Sequence, residues 1–235
     1  MKQTLKLFLI TSVFLGALSC NHETKLQSEA GLSGYDKKLA DSLKIDSTII
    51  MELKQHTTAS LEPFHYSLSK QFNADHTETE LDPIRLNGLV FKEAPARTET
   101  LMNELQANFK AKGYFLFKVE QNFGIGGNKD VMAILKTTDQ YEVIKQIKTD
   151  GINYNIDTDS LIKIVKQFDS KYSLSLTGTS GDWCEFKINK EPADWMVFAK
   201  EAYAVCPDIV DQGTGTVEAL ADELKKSKKL YFWWD

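Results

Sequence analysis

The sequence predicts an α+β fold, an antiparallel or mixed β-sheet with helices packed on it. Three observations point there. Short apolar runs of strand length alternate with longer stretches whose apolar residues recur every three or four positions. Glycine-rich or polar turns join neighbouring strands directly, which makes hairpins. The order helix, hairpin, helix also reads twice along the chain. A duplication would explain that echo, and so would the small number of ways to build α+β layers.

The elements follow in chain order. Lys2 and Lys6 precede an apolar stretch that ends in small residues before Cys20. This is the grammar of an export signal, and the run is too short for a bilayer core that needs roughly 20 residues. Ala17-Leu18-Ser19-Cys20 resembles a lipobox, although the usual order has Leu where Ala17 stands. The cysteine after the cut is the group that would carry lipid. Residues 1–19 therefore read as a lipoprotein signal peptide, and residues 20–33 as a polar tether. The alternative is ordinary cleavage at the same bond and a secreted soluble chain. Asn21 is not the aspartate of an inner-membrane retention signal, which leans the anchor towards the outer membrane.

Leu39, Leu43 and Ile45 sit near helical spacing, and a second helix begins at Ser47 behind Asp46 or Ser47 as N-cap. Residues 57–83 read mostly as loop, with one short strand at Phe64–Leu68. Leu86–Phe91 is a strand. Thr98–Lys112 is an amphipathic helix stopped by Gly113. Tyr114–Val119 and Val131–Leu135 are strands around the glycine-rich turn Phe123–Asn128. Asp139–Lys148 and Thr158–Lys171 are helices. Ser173–Thr177 and Trp183–Ile188 form a hairpin, Pro192–Cys206 a helix with proline in its first turn, Thr216–Lys226 a last helix, and Leu230–Trp234 a closing strand. Two regions are expected, an N-terminal α+β region over 34–128 and a C-terminal domain over 129–235.

The formal net charge is −5. Loss of Lys2 and Lys6 with the signal takes it to −7, which argues against nucleic acid and against electrostatic docking on anionic lipid. Membrane attachment then rests on the lipid at Cys20. The 3 cysteines become an even pair if Cys20 is lipidated, leaving Cys184 and Cys206. A disulfide between them suits an exported chain, but two small buried apolar thiols are the preferred reading.

Candidate chemistry is sparse. Gly124-Ile-Gly-Gly-Asn-Lys-Asp130 lacks the ending of a phosphate loop and leads into a strand, so it reads as a hairpin turn. His56, His65 and His76 have no helical metal spacing, and no metal or cofactor is expected. The last hundred residues are more distinctive. Asp130-Val-Met-Ala-Ile-Leu, Thr149-Asp-Gly-Ile-Asn-Tyr154, Asp182-Trp-Cys-Glu-Phe186, Cys206-Pro-Asp208, Gln212-Gly213 and Phe232-Trp-Trp-Asp235 together resemble the bacterial domain of unknown function 4253, over about residues 129–235. The resemblance implies a shared fold and brings no activity or catalytic residue with it.

Read on their own chemistry, Asp208, Asp211 and Gln212 lie in a loop before a helix whose N-cap is Thr214 or Thr216. They either complement that helix terminus or form a polar cluster for a ligand, with Gly213 and Gly215 admitting close approach. Trp233 and Trp234 project to opposite faces of their strand, as befits a central buried strand, or they wall a binding patch together with Asp182. Asp235 joins its side chain to the chain terminus. With no nucleophile–base pair and no histidine in the C-terminal domain, the leading expectation is a non-catalytic binding or interaction protein of the envelope. One form of it is an immunity-like protector facing a basic partner. The alternative is a hydrolase or transferase using carboxylates of the Cys206–Gly213 loop with Asp182 or Asp235, which requires those carboxylates to converge.

Overall fold

Side-chain caps and left-handed stops set the helix limits. Ser33 accepts a hydrogen bond from the Asp36 N–H to open α1 (Gly34–Leu43), and Lys44 closes it in the left-handed conformation. Asp46 caps α2 (Ser47–His56) through the Thr48 N–H. Pro95 takes the first turn of α3 (Pro95–Ala111), where its missing N–H costs nothing. Asp139, Asp157, Asp194 and Thr216 cap α4 (Gln140–Ile147), α5 (Thr158–Tyr172), α6 (Trp195–Val205) and α7 (Val217–Ser227). This computed structural model describes residues 31–66, 71–72, 78–79 and 83–234. The signal segment, Cys20, most of the tether, His76 and Asp235 lie outside the described residues. Among the described residues no helix is long and apolar enough to cross a membrane.

The strands are β1 (Glu62–Tyr66), β2 (Gln71–Phe72), β3 (Glu78–Thr79), β4 (Ile84–Glu93), β5 (Phe115–Glu120), β6 (Asp130–Leu135), β7 (Leu174–Thr179), β8 (Trp183–Ile188) and β9 (Lys229–Trp233). Seven of them form one mixed sheet in the order β1-β4-β6-β5-β7-β8-β9, and β2 and β3 form a separate two-stranded pair. The single parallel pairing in the large sheet is β5 with β7. The α+β class, with helices packed on a mixed sheet, is thus the observed one. The expected boundary near residue 129 falls just before β6, which inserts between β4 and β5. Both expected regions therefore contribute to one sheet.

Two apolar cores lie on opposite faces of it. Leu39, Ile49, Leu53, Leu101, Leu105 and Phe109 of α1 to α3 pack with Leu89, Phe91, Leu116, Met132 and Ile134. On the other face Ile144, Leu161, Val165, Phe198, Ala202 and Leu224 of α4 to α7 meet Phe117, Leu176, Phe186, Leu230, Phe232 and Trp234. Among the described residues the first core takes nothing from β7, β8 or β9. That part of the face is left for other chemistry.

Strand β4 serves both cores: Leu86 belongs to one, Leu89 and Phe91 to the other. Alternation along the strand puts Leu86 and Val90 on one side and Leu89 and Phe91 on the other, and between them lies Gly88, where a Cβ would stand 2.2 Å from the Ile134 carbonyl oxygen. Only glycine permits that approach. At the far edge Tyr66 Oη comes within 3.3 Å of Ser180 Oγ, so the end of β1 meets the β7–β8 turn.

Three expectations are corrected. Strand β9 is an edge strand, not a central one; its apolar residues are covered by helices on one face and by a cleft described below. Helix α6 begins at Trp195 behind Asp194, because the Asp194 carboxylate captures the Met196 and Val197 N–H groups, and Pro192 stays outside. Residues 209–214 are a π-helical turn, not loop. The helix–hairpin–helix order does occur twice. The packing does not repeat with it, since α3 and α5 lie on opposite faces while α4 and α6 share one.

Candidate functional site

Lys118 interrupts the otherwise apolar Phe-Leu-Phe-Lys-Val of β5. Its neighbours Phe117 and Val119 point into a core, so alternation sends Lys118 to the opposite face. There it is 1% exposed, with Nζ 2.8 Å from Glu185 Oε1 and 3.2 Å from Glu99 Oε1. Lys229 Nζ joins the same two oxygens, Glu99 Oε1 at 2.6 Å and Glu185 Oε1 at 3.5 Å. The Thr177 hydroxyl donates to Glu185 Oε1 at 2.6 Å. Two ammonium groups and two carboxylates balance, as buried charge requires. Burial pushes the Glu99 carboxyl up, but Lys229 and Lys118 outweigh it and leave it below its ordinary range. Burial likewise pushes Lys229 down, and Glu99 and Glu185 outweigh it, raising the ammonium.

Aromatic rings pave the strands beside this network. Trp183 lies over Gly178, where a Cβ would meet its ring at 2.7 Å. Tyr231 stacks on Trp183 at 5.6 Å between ring centroids. Burial, with Glu185 and Asp182 nearby, raises the Tyr231 phenol far above its ordinary range, so it stays neutral. Trp233 stands opposite Trp183 in the ladder. Over Tyr231 and Trp233 a cleft of about 390 Å³ opens, walled by Leu220, Glu223, Leu224 and Ser227 of α7, by Ile209, Gly213 and Thr214 of the π-turn, and by Gln121 and Phe123 of the β5–β6 loop. That volume falls in the range of small-ligand sites. Phe123 is 64% exposed and has φ 51°, a rare conformation for a bulky residue. Gln121 Oε1 is buried with no hydrogen-bond partner among the described residues.

The π-turn holds the site to β9. The chain leaves α6 at Cys206, whose backbone (φ −136°, ψ 87°) lies outside the helical region that a following proline disfavours. The Cys206 thiol then donates to the Trp233 carbonyl at 2.8 Å and accepts the Trp233 N–H at 3.3 Å. Cys184 and Cys206 are both buried free thiols. Burial pushes Cys206 up to about 11 and Cys184 well above its ordinary value, so neither offers a thiolate at neutral pH.

The motif residues behind the resemblance converge at this end of the sheet. Asp208 is buried and accepts the Tyr154 hydroxyl at 2.6 Å and the Gln212 amide at 3.1 Å. That bond lifts the Tyr154 phenol to about 12. The Trp234 N–H donates to the Asp182 carbonyl at 3.0 Å, and its ring lies against Gly151. Asp211 is exposed and bonds a different tyrosine, Tyr203, at 3.1 Å. Neither Asp208 nor Asp211 caps the last helix, a role filled by the Thr216 hydroxyl. Trp233 lines the cleft while Trp234 packs in the core.

His56 pairs with Glu104 at 2.9 Å on the surface and His65 lies exposed on β1. Among the described residues no group of three or more His, Cys, Asp or Glu is placed to hold a metal ion. Sequence reasoning missed Lys118, Glu99, Glu185 and Lys229. A lone lysine inside an apolar strand was the available signal for the first.

A sheet extended at one edge by β8 and β9, with an aromatic cleft on its open face, defines the class: an α+β domain with a built recess. Residues 131–235 match the profile of a family described as a domain of unknown function (DUF4253). No curated protein and no solved structure matches the chain. The matched stretch supplies β6 to β9, yet β5, from outside it, stands between β6 and β7. Lys118, Glu99, Gln121 and Phe123 also come from outside the match.

Proposed function

We propose that this chain is an envelope protein, tethered through lipid on Cys20, that binds a partner without transforming it and receives it in the cleft beside β9. The carrying observation is the cleft itself: a recess of about 390 Å³ with aromatic and aliphatic walls over an ion-paired floor. Such recesses bind through apolar contact and are oriented by a few fixed polar groups. Gln121 Oε1, buried and without a partner among the described residues, is an acceptor that a bound donor would satisfy. The carboxylates that a hydrolase would need instead engage separate tyrosines, Tyr154 and Tyr203. An acidic mature chain favours a basic partner, the immunity-like form of this reading.

The test is capture from envelope extracts at low salt by three baits. Wild type is expected to retain a partner. Glu223→Trp, which fills the cleft from an exposed helix position, should lose it, and Lys225→Trp, on α7 away from the cleft, should keep it. Equal capture by all three, or by none, would count against the cleft.

A further inference from the structure

The ladder between β8 and β9 fixes which backbone groups of β9 face outward. Ile188 donates to the Lys228 carbonyl at 2.8 Å and Trp234 to the Asp182 carbonyl at 3.0 Å, so the even-numbered residues of β9 bond inward to β8. In an antiparallel pair the alternate residues then point their N–H and C=O away from the partner strand. Those are Lys229, Tyr231 and Trp233. Two of the three are plugged by side chains. Ser227 Oγ takes both backbone groups of Lys229 at 3.2 and 3.4 Å, and the Cys206 thiol takes both of Trp233 at 2.8 and 3.3 Å. Between these plugs stands Tyr231, whose outward N–H and C=O have no partner among the described residues, and the cleft is lined by Ser227, Tyr231 and Trp233.

We infer that the cleft takes a short extended peptide, added antiparallel to β9, with one residue exchanging both backbone hydrogen bonds with Tyr231. This rests on the cleft being the binding site, and names what fills it. The plugs bound the register. Lys229 and Trp233 are four residues apart, about 13 Å of strand, which admits roughly three extended residues. Edge pairing gives such a ligand its affinity through main-chain bonds, and the side pockets give selectivity. The facing residue lies against Leu220, Leu224 and the Trp233 ring, which favours a large apolar side chain there. Glu223, the exposed carboxylate on the wall, favours a basic neighbour. The same plugs protect the edge from indiscriminate strand pairing.

The experiment uses the chain without its signal segment, labelled with nitrogen-15, and an N-acetylated, C-amidated Lys-Leu-Lys tripeptide. A saturable shift of the Tyr231 amide resonance is expected. Methylating the leucine nitrogen removes its donor and should weaken binding about tenfold or more. Ser227→Ala, which frees the Lys229 pair, should strengthen a five-residue homologue relative to the tripeptide. Equal affinity of the methylated and unmethylated peptides would overturn the pairing. So would tripeptide binding that leaves the Tyr231 amide unmoved. If apolar fragments still fill the cleft in either case, the binding-site reading survives; if neither peptide nor fragment shifts any cleft residue, both fall.

Discussion

Replacing Glu185 with leucine is expected to destabilise the protein by about 3–5 kcal/mol, and adding Lys118→Met to the same chain should restore most of that loss. The reason lies in where Lys118 sits. The residue is 1% exposed, so its ammonium depends on the carboxylates around it. Glu185 Oε1 gathers Lys118, Lys229 and the Thr177 hydroxyl. Its removal leaves Glu99, which also serves Lys229 and is only half covered, as the remaining carboxylate beside Lys118. Deleting one partner of a buried pair costs far more than replacing both by apolar groups of similar volume. Urea unfolding of the two single variants and the double variant measures the coupling, provided the denaturant slope stays constant. A double variant as unstable as the sum of the singles would mean that Lys118 draws nothing specific from Glu185.

Gly88→Val should cost about 3 kcal/mol or more, at the upper end of what overpacking does. A Cβ there meets a backbone oxygen at 2.2 Å and the Leu135 side chain at 2.7 Å. A side chain can rotate away, but the Ile134 carbonyl is held in the β4–β6 ladder. Relief would have to separate the strands in the stretch where β4 feeds alternate residues to both cores. Gly34→Ala is the matched control: nothing lies within 4 Å of a Cβ there, and a change below about 0.5 kcal/mol is expected. Thermal or urea denaturation of both reads the contrast.

The helices and strands were legible because their signals are local. Asp46, Asp139 and Thr216 cap the helices they precede, and alternation places Phe117, Leu176 and Phe186 inward. Strand order was not legible. Nothing in Leu230–Trp234 says that β9 lies at an edge, because helix α7, the π-turn and a cleft cover its rings where a neighbouring strand would have done so. The π-turn was hidden too: Pro207 and two glycines read as loop, and only the fold makes Asp208 a buried acceptor for Tyr154, 54 residues away in sequence. The site was half visible. Asp208, Gln212 and Trp233 stood out as candidates, and they do gather at one end of the sheet. The cleft's floor did not stand out, because Lys118, Glu185 and Lys229 are far apart in sequence and ordinary in composition. Charge pairing across strands leaves no trace in spacing.

The central claim is that the cleft beside β9 is where this protein binds. A nitrogen-15 shift map with a panel of small apolar fragments bearing an amide or ammonium group tests it most directly. The expected result is saturable shifts concentrated at Gln121, Leu224, Tyr231 and Trp233, lost in Glu223→Trp and kept in Lys225→Trp. Shifts scattered over the surface, or a focus elsewhere that Glu223→Trp leaves intact, would contradict it.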